Sequence, residues 1–341
     1  MFGTETLDAL DQRILNAFQI DPRVSWGKLA EVLGENDRTV ARRAQRLLSG
    51  GVSRITAIPD DQRYGSRVPI HICAQTPMGE LDRVAEELAQ RGDVRTVLAT
   101  TGDEGRLWFE LVVPERALIH SILADELPAR FPLRGMRSHV VLRMFSATSQ
   151  WYARHLTDEE IAALRRGSPA YQDDTQPSPA TGTGRDRMDE LDVRIAKLLQ
   201  RNGRATISGI AEELKTSVPT ASRRLEAMLA RRHVQLRAEI ASTHLGLSVE
   251  AQLHLTVNPG AVEETGRYLA TLPEVRYCVA VTDSRALLLD IAVATEEDVY
   301  RFISHVSGEL PGIVGFEVSL ITRTYKRGGL RRDGSLIQEY A

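Results

Sequence analysis

"LDQRILNAFQIDPRVSWGKLAEVLGENDRTVARRAQRLLSGGVSRITA", Leu10 to Ala57, is answered by "LDVRIAKLLQRNGRATISGIAEELKTSVPTASRRLEAMLARRHVQLRA", Leu191 to Ala238. The two stretches register without a gap at a constant offset of 181. Leu10/Leu191, Asp11/Asp192, Arg13/Arg194, Ile14/Ile195, Arg23/Arg204, Ala30/Ala211, Leu33/Leu214, Thr39/Thr220, Arg42/Arg223 and Arg43/Arg224 are identical. A self-match at about half the chain length is far longer than any solenoid repeat and marks a duplicated module.

Within each copy the apolar spacing predicts three short helices. Leu7, Leu10, Ile14 and Phe18 share one helical face, as do Leu191, Ile195 and Leu198. Asp21-Pro22 and Asn202-Gly203 end the first helix, and Ser25 and Thr206 cap the second. Its buried face is Leu29, Ala30 and Leu33, or Ile210, Ala211 and Leu214. Asn36 and Ser217 cap a third helix with inner residues Val40, Ala44 and Leu47, or Ala221, Leu225 and Met228. Pro219 sits in a first turn, where its missing N–H costs little. Three helices with a tight turn before the third describe a helix-turn-helix. Around the third helix Arg38, Arg42, Arg43, Arg46 and Arg54 stand against Asp37, and Lys215, Arg223, Arg224, Arg231, Arg232 and Arg237 against Glu226. One basic helix face is ordinarily just solvated. Two of them at the same place in a chain of net charge −3 point to an anionic partner, most economically DNA phosphate.

A second pattern follows each helical module. "VPIHICAQT", "MGELDRVAEELAQR", "VRTVLATTG", "RLWFELVV", "ERALIHSILADELPAR" and "GMRSHVVLRMFSA" read as strand, helix, two strands, helix and strand. "SVEAQLHLTV" through "GIVGFEVSLITRTY" repeats that order. This is the split βαβ arrangement of ferredoxin-like folds, whose sheet is covered by helices on one face only. The uncovered apolar face predicts pairing of such domains.

The fold class is therefore α+β: two winged-type helix-turn-helix domains, each followed by a ferredoxin-like βαββαβ domain. The expected boundaries are 1–60 and 61–150 for the first copy, 151–187 for a linker, 188–240 and 241–327 for the second copy, and 328–341 for a loosely held tail. In the linker Thr157 and Glu160 form a capping box for one short helix, and the rest is rich in Pro, Ser, Thr and Gly. Some 20 coil residues span about 25 Å root-mean-square, enough to bring the second copy round to the first.

Composition bounds the function. Hydrophobic content of 42% and charged content of 26% are those of a globular chain, and no apolar run reaches membrane-spanning length. The opening "MFGTETLDALDQ" lacks a basic segment and an apolar core, so no signal peptide is expected. Cys73 and Cys278 occupy non-equivalent apolar places and read as two reduced buried thiols, with neither a disulfide nor a metal framework expected. The chain carries no GxGxxG, P-loop, HExxH or CxxC motif.

The order helix-turn-helix then βαββαβ resembles the Lrp/AsnC (feast/famine) family of bacterial transcription regulators. "LDALDQRILNAFQIDPRVSWGKLAEVLG" looks like that family's opening signature, "RTVARRAQRLLSGGV" its arginine-rich recognition helix and following glycine, and "TTGDEGRLWFELVV" its turn between the second and third strands. The resemblance covers all but the linker and tail. It implies DNA binding by paired helix-turn-helix domains, homo-oligomerisation through the βαββαβ (RAM) domains, and a cytosolic, nucleoid-associated location. It also implies an amino acid or related small metabolite as effector near the strand turn, with no bound cofactor and no enzymatic activity. Carried onto this sequence, the DNA-facing residues are Arg38, Thr39, Arg42, Arg43 and Arg46, then Pro219, Thr220, Ser222, Arg223 and Arg224, with Arg43 and Arg224 at the family's arginine position. Residues early in the helix would meet base edges and later arginines phosphates. The effector-site residues are Thr101, Gly102, Asp103 and Gly105 in the first copy and Thr282, Asp283 and Ser284 in the second.

The second turn, "VTDSRALLLDIAV", is one residue shorter than the first and has lost both glycines. Effector binding is accordingly expected in the first copy and lost or altered in the second, unless Gly102 and Gly105 serve only a hairpin turn. The third helices also differ, so one chain is expected to act as a covalent pseudo-dimer reading asymmetric half-sites. Two rivals remain: a siroheme-decarboxylase-like enzyme on the same architecture, and an effector-independent architectural DNA binder. The eight histidines, His71, His120, His139, His155, His233, His244, His254 and His305, do not recur at the repeat offset and read as surface or packed residues.

Overall fold

The computed structural model describes residues 7–59, 68–102, 104–168, 188–231 and 233–338. The chain folds into two compact units, each built from both copies: residues 1–65 with 152–245, and 66–151 with 246–339.

The first unit holds the two helix-turn-helix heads. In one, α1 (Ala9–Ile20), α2 (Trp26–Leu33) and α3 (Asp37–Ser49) bury Ile14, Phe18, Leu29, Leu33, Val40, Ala44 and Leu47. Asp8, Ser25 and Asn36 cap these helices by accepting from N–H groups in the first turn. β1 (Ser53–Pro59) leads out of this head. After the first copy's sheet domain, α6 (Asp158–Arg165) carries the Thr157–Glu160 capping box and packs on α1 and α2. The second head consists of α7 (Glu190–Arg201), α8 (Ile207–Leu214), α9 (Val218–Ala230) and β6 (Val234–Ile240). Its core is Ile195, Leu199, Ile210, Leu214, Ala221, Leu225 and Met228, closed by Ala57 from the first copy. The heads are joined by antiparallel pairing of β1 with β6, Ser53 opposite Ile240 through Pro59 opposite Val234.

The second unit is a pair of ferredoxin-like domains. The first runs β2 (Val68–Thr76), α4 (Leu81–Gln90), β3 (Val94–Thr100), β4 (Gly105–Val113), an irregular helix α5 over 119–130, and β5 (Arg134–Ser146). The second runs β7 (Val249–Val257), α10 (Val262–Leu269), β8 (Val275–Val281), β9 (Leu287–Val293), α11 (Glu296–Glu309) and β10 (Ile313–Arg327). Each sheet packs one face on its own helices, around Val84, Leu88, Leu107 and Phe109 in the first and Leu253, Leu269, Leu289 and Phe302 in the second. The other faces meet, burying Cys73, Leu98, Trp108, Val279, Val281 and Leu288 between them.

The long last strand of each domain crosses over. β5 pairs with β2 of its own sheet and then with β8, while β10 pairs with β7 and then with β3. The strand order β10-β3-β4-β2-β5-β8-β9-β7 thereby closes on itself through β10–β7. Closure leaves neither domain with the open sheet edge that would invite another chain. The apolar faces are thus satisfied within one chain.

The tail departs from its sequence reading. β11 (Leu330–Asp333) pairs with the end of β10, and β12 (Leu336–Ile337) pairs with β11, burying Leu330 and Ile337. Gly328 and Gly329, both at positive φ, make the reversal that a loose-tail reading of the glycines missed.

Candidate nucleic-acid interface

The third helix of each head presents few of its arginines outward. Arg38 and Arg42 on α3 and Arg223 on α9 are exposed, and so are Pro219 and the apolar Val218. Thr39 is half-buried, and Thr220 donates its N–H to the Ser217 cap. Ser222, expected to face DNA, is half-buried and donates its hydroxyl to Glu226 at 2.7 Å. The first helix therefore offers two free-standing arginines near its start, and the second offers Val218, Pro219 and Arg223.

Arg43, Arg46 and Arg224 are turned back into the heads. Arg43 reaches Asp8 at 2.6 Å and Asp11 at 3.1 Å, and Arg46 reaches Asp11 at 2.6 Å. Arg224 repeats the contact with Asp189 at 2.5 Å and Asp192 at 3.3 Å. The Asp11 N–H and then Arg43 hold the Asp8 carboxyl below the usual carboxylate range, and the Asp192 N–H and Arg224 do the same for Asp189. These arginines clamp the third helix to the N-cap of the first, which fixes the angle at which the reading face is shown. Arg237, counted with the basic cluster, is buried against Glu239 on β6.

The pairing of heads is reciprocal. Arg23 donates to the carbonyls of Gly203 at 2.8 Å and Ala205 at 2.9 Å, and Arg204 donates to those of Pro22 at 2.7 Å and Val24 at 2.9 Å. One asymmetry interrupts the repeat. α6 lies only on the first head, where Arg13 pairs with Glu160 and Lys28 donates to the carbonyls of Leu164 at 3.0 Å and Arg166 at 2.7 Å.

The residues expected to hold an effector sit at the crossing points of the long strands. Thr101 donates its N–H to Leu320 O at 2.8 Å and accepts from Leu320 N at 2.9 Å. Thr282 makes the matching pair with Val140, at 3.0 and 2.9 Å. Gly102 has φ 139°, and a Cβ there would lie 2.8 Å from Arg106 Nε; one at Gly105 would lie 2.5 Å from Thr76 O. Gly102 is thus favoured by its backbone angle, since the Arg106 side chain can move aside, and Gly105 by the main chain beside it. Asp103 lies outside the described residues. Asp283 accepts from Ser284 and sits 3.2 Å from His139 Nδ1. Nearby, Glu317 gathers Arg106 at 2.7 Å and Arg285.

Sequence reasoning missed a polar row across each sheet. Thr96, Glu110, His71 and His139 are successive partners on β3, β4, β2 and β5. Tyr277, Asp290, Gln252 and Ser319 occupy the same places on β8, β9, β7 and β10. The rows face each other, and His71 Nε2 shares a hydrogen bond of 2.9 Å with the Tyr277 hydroxyl. One rung away Trp108 lies on His254 with ring centroids 4.6 Å apart, and His139 approaches both. Burial keeps His71 and His139 below the usual imidazole range and pushes His254 down to about 3. The signal lay in Glu110 and Asp290, a carboxylate in the same apolar strand of both copies. Among the described residues no group of three or more His, Cys, Asp or Glu is placed to hold a metal ion.

Two paired helix-turn-helix heads, joined in sequence to two face-to-face ferredoxin-like domains, define a double-headed helix-turn-helix protein. The model of the AsnC-type helix-turn-helix domain matches residues 7–48 and 188–229, and that of the Lrp/AsnC ligand binding domain matches 250–330. The chain belongs to the Lrp/AsnC family, in tandem-duplicated form. An uncharacterized HTH-type transcriptional regulator of Pyrococcus furiosus is 29% identical over 145 residues, 42% of this chain and 98% of that protein. The HTH-type transcriptional regulator LrpC of Bacillus subtilis is 25% identical over 122 residues, 36% of this chain and 85% of that one. Over its whole length the fold is similar to that of the siroheme decarboxylase NirDL, with a TM-score of 0.60 at 19% identity, covering 93% of this chain and 92% of the other.

Proposed function

We propose that this protein is a sequence-specific DNA-binding transcriptional regulator in which one chain does the work of a dimer. The observation that carries this reading is the pairing of two heads through β1 and β6, which holds α3 and α9 as a fixed pair with Arg38, Arg42 and Arg223 exposed. Thr39, Pro219, Thr220 and Val218 supply the base-facing part of the surface. Arg43, Arg46 and Arg224 act through the orientation of those helices. The relatives' description as transcriptional regulators supports the same reading. An amino acid or related small metabolite serves as effector, the protein works in the cytosol on nucleoid DNA, and further copies assemble through surfaces of the sheet domains other than the closed edges and the buried apolar faces. Selection of binding sites from random duplexes tests the reading: enrichment of a defined sequence supports it, and salt-dependent binding without preference would leave an architectural role.

The whole-length fold likeness to a siroheme decarboxylase favours one alternative, catalysis on a tetrapyrrole. Incubation with siroheme and measurement of released carbon dioxide separates the two. Turnover would replace the regulatory reading.

A further inference from the structure

A pocket lies between the two polar rows, lined by His71, Glu110, Gln252, Tyr277, Asp290 and the Glu250-paired Arg327, with apolar walls from Leu98 and Phe109. It sits on the pseudo-twofold axis, because His71 and Gln252, Thr96 and Tyr277, and Glu110 and Asp290 are repeat equivalents. In a true dimer an axial pocket has matched halves. Here duplication has let the halves diverge. His71 and Tyr277 satisfy each other, whereas Gln252 and Asp290, neighbours across β7 and β9, are left unserved. Gln252 is 4% exposed, and both its Oε1 atom and the Asp290 Oδ1 atom are buried without a hydrogen-bond partner among the described residues. Two adjacent buried acceptors without a donor are costly, and a ligand carrying several N–H groups relieves both.

The charges select among such ligands. Glu250 holds both Arg276 and Arg327, the latter at 2.6 Å, and Arg95 lies 3.4 Å from Glu110. Asp290 is the carboxylate of this group with no ion-pair contact of its own among the described residues; the positive charges that act on it, Arg327 and Arg276, are both held by Glu250. The free space is about 40 Å³, against roughly 10–15 Å³ for one water. That admits a group of a few non-hydrogen atoms.

We propose that this axial pocket binds a primary ammonium group, donated in common to Asp290, Gln252 and Glu110 and supplied by free ammonium, a small amine or a small amino acid. The inference goes beyond the regulatory reading and does not rest on it.

The test titrates the full-length protein calorimetrically with ammonium chloride, methylammonium chloride, glycine, tetramethylammonium chloride and sodium acetate at matched ionic strength. Saturable binding of ammonium and methylammonium, with no binding of tetramethylammonium or acetate, is expected. Glycine binding as tightly as methylammonium names an amino acid as the source, and its exclusion names ammonium or an amine. The isosteric D290N is expected to weaken methylammonium by roughly tenfold or more, the scale of one lost charge-assisted hydrogen bond. Acetate or tetramethylammonium binding equally well, unchanged affinity in D290N, or no saturable binding of either amine overturns the proposal. If D290N fails to fold, the wild-type discrimination of methylammonium from tetramethylammonium decides alone. DNA affinity of the same preparation is read separately, so a protein that binds amines and no DNA overturns only the regulatory reading.

Discussion

Arg23 and Arg204, equivalent residues 181 positions apart, each thread a guanidinium into the other copy's inter-helix turn and donate to two main-chain carbonyls there. Arg204 also stacks on Trp26, its carbon centre 4.1 Å from the ring centroid. Burial, then the neighbouring Arg23, pushes Arg204 down to about 10, which still leaves it charged at neutral pH. Hydrogen bonds from a charged donor contribute about 1.5–3 kcal/mol, and a buried carbonyl that loses its donor is left unsatisfied. Arg23→Ala and Arg204→Ala are each expected to cost about 2–3 kcal/mol of stability, measured by urea unfolding.

The exposed and clamped arginines should separate in a DNA-binding experiment. Arg42→Ala and Arg223→Ala are expected to weaken binding and to lower the slope of log affinity against log salt by about 0.9 for each phosphate left without its arginine. Arg43→Ala and Arg224→Ala are expected to lower the unfolding midpoint while changing the salt slope far less. Fluorescence anisotropy over a salt series, beside thermal melts, distinguishes the pairs. Equal slopes in all four variants would contradict the assignment.

Operator symmetry is open to direct test, since α3 and α9 expose different residues. The selected site is expected to have two unlike halves. Replacing the exposed positions of α9 by those of α3 should shift selection towards a palindrome.

The buried histidines predict acid sensitivity. The folded values of His71, His139 and His254 lie below the unfolded value of about 6.5, so the unfolded chain takes up their protons first. Their contribution is fully present above pH about 6.5 and is lost as pH falls below it, continuing for His254 towards pH about 3. Stability by urea midpoint is expected to drop from pH 7.5 to pH 5, at up to about 1.4 kcal/mol per pH unit for each histidine. His254→Gln should flatten that dependence. An unchanged profile would place these rings in contact with water.

The turn glycines should behave as parts of the scaffold. Gly102→Ala and Gly105→Ala are each expected to destabilise by about 1–3 kcal/mol, since Gly102 sits at φ 139° and a Cβ at Gly105 would lie 2.5 Å from the Thr76 main-chain oxygen. Gly92→Ala, where nothing lies within 4 Å, is the control and should be close to neutral. Thermal melts of the three variants check this.

Much of the molecule was written locally. The spacing of Ile14 and Phe18, the caps Ser25, Asn36, Thr206 and Ser217, and the Thr157–Glu160 box are contacts within one or two helical turns, so the sequence alone determined the duplication and the helices and strands of both copies, though not the tail strands β11 and β12. Tertiary structure decided what no local pattern encodes. Whether Arg43 faces solvent depends on Asp8 and Asp11, 35 and 32 residues away. The closure of β5 on β8 and β10 on β3 followed from the need to cover two apolar sheet faces, which can be met within a chain or between chains. The polar rows, one residue from each of eight strands, exist only once register is set, because register alone determines which side chains stand opposite one another across a sheet.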